Sequence, residues 1–555
     1  MSNHADNGMS PERSAIPPFL RRQFYDGWRM ITLLIAILVI IPLAVVTFSW
    51  LQPAPEIWRH LSETLLGELL RNTFWLVIGV SCGTVLLGVS LAWLTAICEF
   101  PGRAFFSWAL LLPLAMPAYV LAFVTLGLFD YAGPVQSQLR HWFGSSSWFP
   151  DIRSTGGVVT VLTLVFYPYV YLLSRNAFLT QGKRMLEAAE SLGCGPWRAF
   201  ILVILPMARP WIAGGTLLVI MESLADFGAV SIFNYDTFTT AIYKAWFGFF
   251  SLPVAAQLAS CLVLLVFVIL VAEQRMRSRM RFSEGRQSAV GERIRLGGWR
   301  RWYASAYAFA VLGIAFLLPL LQLLLWSLEV IRQELSVRYI SLIGHTLLLG
   351  LSAALLICSC ALLLAYTSRR HPDPLTRTLV RLANLGYALP GTVLAVGIFI
   401  PVAALDNTLI DLFRRLFSID TGQLLQGTLV IMLLAYLVRF MAAGFKAIDG
   451  AMHRVTPSID EAARLAGYRG LRLLARIHLP MLRGGLLTAF TLVSVDVMKE
   501  MPITLMTRPF GWDTLAVKIY ELTSEGEWER AALPALILLL CGLIPIIFLM
   551  RTSEN

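Results

Sequence analysis

The sequence predicts an all-α polytopic membrane protein with about twelve transmembrane helices in two homologous six-helix halves. Of its 555 residues, 57% are hydrophobic and only 14% are charged, and the mean hydropathy is +0.69. A hydrocarbon core of roughly 30 Å needs about 20 apolar residues in a helix, and helices are expected because a backbone in lipid must form its hydrogen bonds internally. Apolar runs of this kind begin near Met30, Phe74, Phe105, Gly157, Pro210, Leu252, Ala304, Thr346, Leu385, Gln426, Gly484 and Ala531.

The first run follows a polar stretch, residues 1–29, which we interpret as a cytoplasmic tail before an uncleaved span. It is too long and too mixed for the start of a signal peptide, and it lacks a small-residue cleavage site. The seven cysteines lie mostly inside the runs and show no metal-ligand or disulfide spacing. They are therefore predicted to be small buried apolar residues.

Lysine and arginine are distributed unevenly about the runs. If the N-terminus is cytoplasmic, most of the 45 Lys and Arg residues fall on the cytoplasmic side, whereas the 34 acidic residues show no such bias. This asymmetry is the one that orients membrane proteins, and it predicts that both termini are cytoplasmic. Topology and contact with anionic lipid headgroups explain the net charge of +11, so no nucleic-acid partner is expected.

The chain repeats itself at an offset of about 274 residues. Residues 115–117 (AMP) in the third run match residues 388–390 (ALP) in the ninth, and their prolines are expected to kink both helices. The predicted divisions are a tail, two permease halves and a basic cytoplasmic linker between the halves. Their boundaries are 1–29, 30–273, 304–551 and, for the linker, 274–303.

The strongest repeat follows the fourth and tenth runs, as residues 187–193 (EAAESLG) and 461–467 (EAARLAG). In both copies glycine comes six residues after glutamate, and Leu-Pro comes eighteen and nineteen residues after it. We expect a short helix broken at the glycine, with a capping box at residues 458–461 in the second copy. The repeated residues are Glu187, Ala188, Ala189, Gly193, Leu205 and Pro206 in the first copy, and Glu461, Ala462, Ala463, Gly467, Leu479 and Pro480 in the second.

Charged residues inside two of the runs form a second repeat. Glu222 and Asp226 match Asp496 and Glu500, and the i, i+4 spacing places each pair on one helix face. Charges within a membrane are costly and therefore indicate function, and carboxylates favour a hard cation over an anion or a sugar. The alternative is structural: Lys499 could neutralise a neighbour, and residues 500–502 could simply end a helix.

The duplicated Glu-Ala-Ala loops resemble those of the membrane subunits of bacterial ABC-type importers. Residues 224–230 (LADFGAV), 236–243 (DTFTTAIY) and 499–505 (KEMPITL) are further similar to the fused permeases of ferric-iron importers. The resemblance implies a MetI-like fold of the type I importers, a multi-pass protein of the bacterial inner membrane and a periplasmic binding protein that delivers Fe(III). It also implies that the repeated loops dock two copies of a cytoplasmic ABC ATPase, and that ATP and Mg bind there, with no cofactor and no catalytic residue in this chain.

The sequence leaves open several alternatives for the cargo, the loops and the class of transporter. Related double-length permeases transport thiamine and other small solutes, and the loops could be solvated connectors without a partner. A twelve-helix secondary transporter is a remote alternative. It would carry small and basic signature residues after the second run, where this chain has only Glu99, Pro101, Gly102 and Arg103. The chain contains no Gly-Lys-Ser/Thr phosphate loop, so energy must come from another subunit. The second loop is the more basic, which indicates either a solvated face or unequal coupling; its arginines are Arg464, Arg469, Arg472 and Arg476.

Overall fold

The computed structural model describes residues 27–51, 55–278, 293–418 and 421–553, most of which lie in helices. The predicted N-terminal tail thus falls almost wholly outside the described residues, as does the middle of the predicted linker. Eleven of the described helices are long and apolar enough to cross a membrane. The helix Trp528–Ser553 lies where the twelfth span is predicted, and the prediction of an all-α polytopic membrane protein is confirmed.

The first half consists of long apolar helices joined by turns and short helices. Its elements are α1 (Gly27–Phe48), α2 (Pro55–Thr64), α3 (Leu66–Ile97), β1 (Cys98–Glu99), α4 (Arg103–Ala109), α5 (Ala118–Phe129), α6 (Pro134–Phe143), α7 (Thr155–Ala177), α8 (Lys183–Ser191), α9 (Pro196–Ala199), α10 (Leu205–Ala225), α11 (Gly228–Ile232), α12 (Phe238–Tyr243) and α13 (Leu252–Ser278).

The second half repeats this order. Its elements are β2 (Ile294–Arg295), α14 (Trp299–Leu312), α15 (Leu318–Glu334), α16 (Val337–Arg370), α17 (Pro374–Ala383), α18 (Gly391–Phe417), α19 (Leu429–Met452), α20 (Pro457–Leu465), α21 (Leu471–Leu473), α22 (Leu479–Lys499), α23 (Pro502–Thr507), α24 (Leu515–Ser524) and α25 (Trp528–Ser553).

The repeated proline motifs break their helices, and the prediction of kinked continuous spans is wrong. The run predicted from Phe105 divides into α4, a 3-10 turn at Leu112–Ala115 and α5, whose N-cap is Pro117. In the second half a 3-10 turn at Leu385–Ala388 precedes α18, whose N-cap is Pro390. Proline has no N–H to continue a preceding helix, so each new helix begins after it.

Each half has its own helical core built from equivalent elements. In the first half α7 packs along α3 and α10, and in the second half α19 packs along α16 and α22. Two fully buried tyrosines tie α7 to the end of α4. The hydroxyl of Tyr167 donates to the carbonyl of Leu110 at 2.9 Å, and that of Tyr171 donates to the carbonyl of Ser107 at 3.0 Å. Contacts within each half therefore hold its core helices together.

The first span of the first half packs on the second half, and the first span of the second half contacts both halves. Helix α1 lies against α17 and α18, and Arg29 at its start forms an ion pair of 2.7 Å with Asp373. In the second half, α15 packs mainly along α25 of the same half, but it also contacts α5, and α14 lies beside α4. The hydroxyl of Tyr307 is 2.8 Å from that of Ser90, and Ser305 donates to the carbonyl of Pro101 at 2.8 Å. The two halves are therefore interlocked.

A short strand pair attaches the last part of the predicted linker to the first half. Strand β2 pairs in parallel with β1, with Ile294 opposite Cys98. Arg293 also lies 3.4 Å from the carboxylate of Glu99, which pairs with Arg103 as well.

The seven cysteines are free, but their predicted burial is only partly correct. Cys98 and Cys358 are buried, whereas Cys82 is exposed on α3. The remaining four are of intermediate exposure.

Candidate functional site

Two broken helices position the predicted acidic residues. Helix α10 ends just before Asp226, whose backbone is extended at φ −65° and ψ 129°, and α11 follows. Helix α22 ends just before Glu500, extended at φ −71° and ψ 113°, and α23 follows. The second residue of each acidic pair therefore lies at a break between two helices, and both repeats have this break. Many transporters have such broken helices at their substrate sites.

Both carboxylates at these breaks accept hydrogen bonds from the start of the next helix. Asp226 accepts from the backbone N–H of Val230 at 3.1 Å, and Glu500 accepts from that of Ile503 at 3.3 Å. The first N–H groups of a helix have no partner within it, so these carboxylates satisfy donors that would otherwise be left open. Residues 500–502 therefore do end a helix, as the structural alternative predicts.

The four carboxylates also line one cavity of ≈ 190 Å³ between the halves. Helices α10 and α22 place Glu222 and Asp496 one turn before the breaks, with Glu222 partly exposed and Asp496 exposed. Other lining residues come from α5, α7 and α19, so every acidic residue that the sequence predicts reaches the same space. The polar and charged lining residues are Tyr119, Tyr169, Glu222, Asp226, Arg439, Asp496, Lys499 and Glu500.

Arg439 on α19 is a cavity residue that the sequence analysis missed. Its guanidinium lies 3.3 Å from the carboxylate of Glu500, and it also donates to the carbonyl of Leu389 at 3.1 Å. Both side chains of the ion pair are largely buried, at 15% and 8% exposure. The signal was available, because an arginine within a predicted span is itself a functional indication.

Charge in the cavity is only partly compensated. Lys499 does not form an ion pair with Glu500, which pairs with Arg439. The ammonium of Lys499 lies 3.5 Å from the carbonyl of Leu114. Across the described residues, no basic group lies within 4 Å of the carboxylates of Glu222, Asp226 or Asp496. The hydroxyl of Tyr387 donates to Glu222 at 3.5 Å. With four acids against two bases, the cavity carries a formal excess of negative charge.

Several contacts join the two halves beside the cavity, near the ends of α10 and α22. The hydroxyl of Tyr119 donates to the carbonyl of Lys499 at 3.3 Å. The hydroxyls of Ser231 and Tyr520 are 3.1 Å apart, and Phe227 packs against Tyr520 with ring centroids 5.7 Å apart. Helices α10 and α22 run from the loops to the breaks, so these contacts lie near the ends of both helices that are far from the loops.

The two Glu-Ala-Ala loops have the same backbone conformation. Gly193 and Gly467 have positive φ values of 80° and 86°. The residue after each glycine donates its N–H to the last alanine of the Glu-Ala-Ala triplet at 2.9 Å, from Cys194 in the first loop and Tyr468 in the second. This is the hydrogen bond of a Schellman helix end, which glycine favours, and the prediction of a helix broken at each glycine is confirmed.

A π-helical segment connects each loop to its span. It comprises Phe200–Ile204 before α10 and Leu474–His478 before α22. Pro206 and Pro480 follow directly and cannot donate a backbone hydrogen bond, which disturbs the regular pattern in the preceding turn. The Leu-Pro pair thus marks the point where each loop becomes a span.

The predicted capping box in the second loop is not formed. Thr456 is the N-cap of α20, its side chain makes no capping hydrogen bond, and Pro457 follows. The hydroxyl of Ser458 instead lies 2.9 Å from that of Thr456. The helix therefore begins two residues earlier than the capping box requires.

Each loop presents charged and apolar groups to solvent while the last alanine of its triplet faces inward. Glu187, Ala188, Glu461 and Ala462 are exposed, whereas Ala189 and Ala463 are buried. The loops also expose large apolar side chains, which is uncommon unless a partner covers them. These are Leu192 at 83%, Trp197 at 68%, Leu465 at 91% and Leu471 at 68% exposure.

Different chemistry anchors the two loops. In the first, Phe200 packs against Trp93 on α3 and against Phe178, with ring centroids 4.3 and 6.2 Å apart. In the second, Asp460 on α20 accepts from Arg369 on α16 and lies next to the ring of His478, both at 2.8 Å. Sequence analysis predicted an asymmetry from the basic residues of the second loop, but it did not find this one, because the partners come from a distant helix.

Comparison with known proteins agrees with the repeated architecture. The model of the family described as "Binding-protein-dependent transport system inner membrane component" matches residues 84–282 and 357–553. The Fe(3+)-transport system permease protein FbpB 2 of Haemophilus influenzae is 27% identical over 532 residues, which cover 94% of this chain and 98% of the relative.

Two further relatives are named for two different cargoes, ferric iron and molybdenum. The ferric transport system permease protein FbpB of Actinobacillus pleuropneumoniae is 23% identical, over 93% of this chain and 76% of its own length. The molybdenum transport system permease protein ModB of Escherichia coli is 34% identical over 146 residues, which are 26% of this chain and 62% of the relative. Because the family model matches most of the chain, in both halves, the chain belongs to the family of binding-protein-dependent transport system inner membrane components and carries its domain twice.

Proposed function

We propose that this permease carries Fe(III) from a periplasmic binding protein into the cytoplasm, driven by ATP hydrolysis in a partner subunit. The observation that carries the choice of cargo is the meeting of four repeat-related carboxylates in one cavity. Carboxylate oxygens are the ligands that hard, highly charged cations prefer. The ferric relative that matches nearly the whole chain supports the same cargo.

The cavity fits a cation in transit better than a resident metal. Within the described ranges no group of three or more His, Cys, Asp or Glu side chains is arranged to hold a metal ion. Two of the four carboxylates also accept hydrogen bonds from backbone N–H groups. A transported ion must bind strongly enough to enter and weakly enough to leave, and partly engaged carboxylates satisfy both conditions.

The two loops are the proposed docking sites for two copies of an ABC ATPase, which holds the ATP and Mg. Their shared backbone geometry and exposed apolar side chains support this role. Closure of the ATPase pair would move both loops together and tilt α10 and α22, whose far ends carry the carboxylates. Opening between the halves would then break the contacts of Tyr119 and Tyr520, a rigid-body switch between packed helices.

We place the protein in a bacterial inner membrane with both termini and both docking loops cytoplasmic. The distribution of Lys and Arg along the sequence supports this orientation. From Leu205 to Glu222 the helix rises about 26 Å at 1.5 Å per residue, which puts the cavity past the middle of the membrane, toward the periplasm.

An oxyanion is the second candidate cargo, since Arg439 and Lys499 line the cavity and the Escherichia coli relative is a molybdenum transporter. Arg439 is already paired with Glu500, however, and the acids outnumber the bases. An anion would therefore meet net repulsion, whereas a cation would meet attraction.

The double variant Glu222→Gln with Asp496→Asn tests the cargo assignment. These two carboxylates carry no backbone hydrogen bond among the described residues, so their loss changes cavity charge without freeing a helix start. We expect uptake of radioactive Fe(III) into vesicles, with binding protein, ATPase and ATP present, to fall by about tenfold or more, because two favourable charges are removed from a site of low dielectric constant.

The matched control is Glu68→Gln, an exposed acid on α3 outside the cavity, which is expected to leave uptake unchanged. Copurification of the ATPase should be normal in every variant. Unchanged iron uptake in the double variant, or uptake of molybdate by the wild type, would remove the basis for an iron cargo. Uptake driven by a proton gradient without ATP would instead contradict the importer mechanism.

A further inference from the structure

A second, larger cavity lies beside the docking loop of the second half. It encloses ≈ 740 Å³ and is strongly basic. Arg464 and Arg469 reach it from the docking loop, and Arg369 and Arg370 from the end of α16, so residues about a hundred positions apart converge on it. The acidic lining residue is Asp460.

The single acid does not neutralise this cavity. Asp460 is held by Arg369 and by His478, each at 2.8 Å, and Arg369 also donates to the carbonyl of Met452 at 3.0 Å. Arg464 and Arg469 have no acidic partner within 4 Å among the described residues. Their guanidinium groups are exposed and available to a ligand.

One side of the cavity adjoins the surface of the first span. Trp28, at the start of α1, lines it and packs edge-on against Tyr366, with ring centroids 4.8 Å apart. Along the same helix Met30 and Leu34 are exposed at 50% and 62%. Tryptophan and tyrosine favour the level of the lipid headgroups, and exposed apolar residues on a span face acyl chains.

We propose that this cavity binds a phosphate-bearing anion, and that the headgroup of an acidic phospholipid of the cytoplasmic leaflet is its source. Guanidinium groups form paired hydrogen bonds with phosphate oxygens, and basic clusters next to a span attract anionic lipids. The choice of leaflet rests on the cytoplasmic orientation proposed above, whereas the anion site itself does not.

Only the docking loop of the second half carries these two arginines, Arg464 and Arg469. At the repeat offset, Glu190 and Gly195 stand in the first loop where the second has Arg464 and Arg469. A bound headgroup would bridge α1, α16 and the second docking loop. Anionic lipid would therefore hold one of the two docking loops in place and leave the other unaffected.

The test titrates the purified full-length protein in detergent with short-chain phosphatidylglycerol and follows bound lipid by native mass spectrometry. The double variant Arg464→Gln with Arg469→Gln should bind about thirtyfold more weakly, given the contribution of each basic residue to the binding of anionic lipid. The control, Arg472→Gln with Arg476→Gln, removes the same charge from the same loop outside the cavity and should bind as the wild type does.

Two further probes separate the sources of the anion. Short-chain phosphatidylcholine, which has no net charge, should bind much more weakly than phosphatidylglycerol. Inorganic phosphate should fail to displace the bound lipid; displacement at equal concentration would assign the site to free phosphate and overturn the lipid source. Equal lipid binding by the wild type and the Arg464/Arg469 variant would overturn the site itself, provided that thermal unfolding shows the variant to be folded.

Discussion

The side chain of Glu500 accepts a hydrogen bond at the start of α23, forms an ion pair with Arg439 and lines the cavity. A neighbouring glycine leaves room for it. A Cβ atom at Gly391 would lie 2.5 Å from the carboxylate oxygen of Glu500. At the matching position of the first half stands Ala118, and the matching acid is the shorter Asp226. At the matching sequence positions, the second half therefore has a smaller neighbour with a longer acid, and the first half has a larger neighbour with a shorter acid.

We expect Gly391→Ala to destabilise the protein by about 1–3 kcal/mol, as overpacking in a close-packed site does. The added methyl group would push Glu500 away from Arg439 and so lower the temperature of thermal unfolding in detergent. Adding Glu500→Asp should restore part of the loss, because it recreates the combination found in the first half. The comparison variant Ala118→Gly should not need such a rescue, and a Gly391→Ala protein as stable as the wild type would show that the site is not tightly packed.

At the scale of elements, the two Glu-Ala-Ala loops share a backbone conformation but differ in their anchors. A Cβ atom at Gly193 or Gly467 would meet no atom within 4 Å, so the glycines are required by the positive φ value and not by lack of space. The first loop depends on aromatic packing around Phe200, and the second depends on the ion pair between Arg369 and Asp460.

Gly467→Val is expected to impair coupling, while Gly467→Asn should be tolerated. A left-handed conformation costs a residue with a Cβ atom about 1–2 kcal/mol, and asparagine adopts it more readily than a β-branched residue does. We expect the valine variant to insert normally but to retain less ATPase when the complex is purified, with lower ATP-driven uptake. Equal retention by the two variants would contradict a conformational role for this glycine.

Asp460→Asn should loosen the second loop selectively. The change removes the charge that holds the largely buried Arg369, and an inadequately paired buried group costs about 1–3 kcal/mol. Proteolysis or hydrogen exchange should therefore report faster opening of α20, with α8 unchanged. The matched variant in the first loop is Trp93→Ala, which should show the opposite pattern; simultaneous loosening of both loops in either variant would argue against separate anchors.

For the whole molecule, packing across the halves makes each half incomplete without the other. Helix α1 packs on α17 and α18, and α15 contacts α5. The two halves are therefore held together by packing between helices as well as by the linker.

Separate expression of residues 1–278 and 293–555 tests this interlock. We expect each piece alone to be degraded or aggregated, because the surfaces that pack across the halves would be left uncovered. Coexpressed pieces should copurify and support ATP-driven uptake. A single piece that is stable and monodisperse in detergent would contradict the interlocked arrangement.

Much of this architecture could be predicted from sequence, because spans and repeats are local or periodic signals. The apolar runs gave the all-α membrane fold, and the glycine and Leu-Pro spacing gave the bent loops. At the repeat offset Glu222 matches Asp496, and the structure places both in one cavity. The periodic pattern could not show which surfaces meet across the chain, so Arg439, the two kinds of loop anchor and the packing across the halves emerged only from the structure.

The packing of the first span on the second half also sets an order for biosynthesis. Helix α1 leaves the ribosome long before α18, which begins at Gly391, and at a synthesis rate of about 5–20 residues per second the delay is roughly 20–70 s. For that time the face of α1 that ends against α18 must be shielded by lipid or by the insertion machinery. A slowed or interrupted ribosome between the halves would therefore be most harmful to the very first helix.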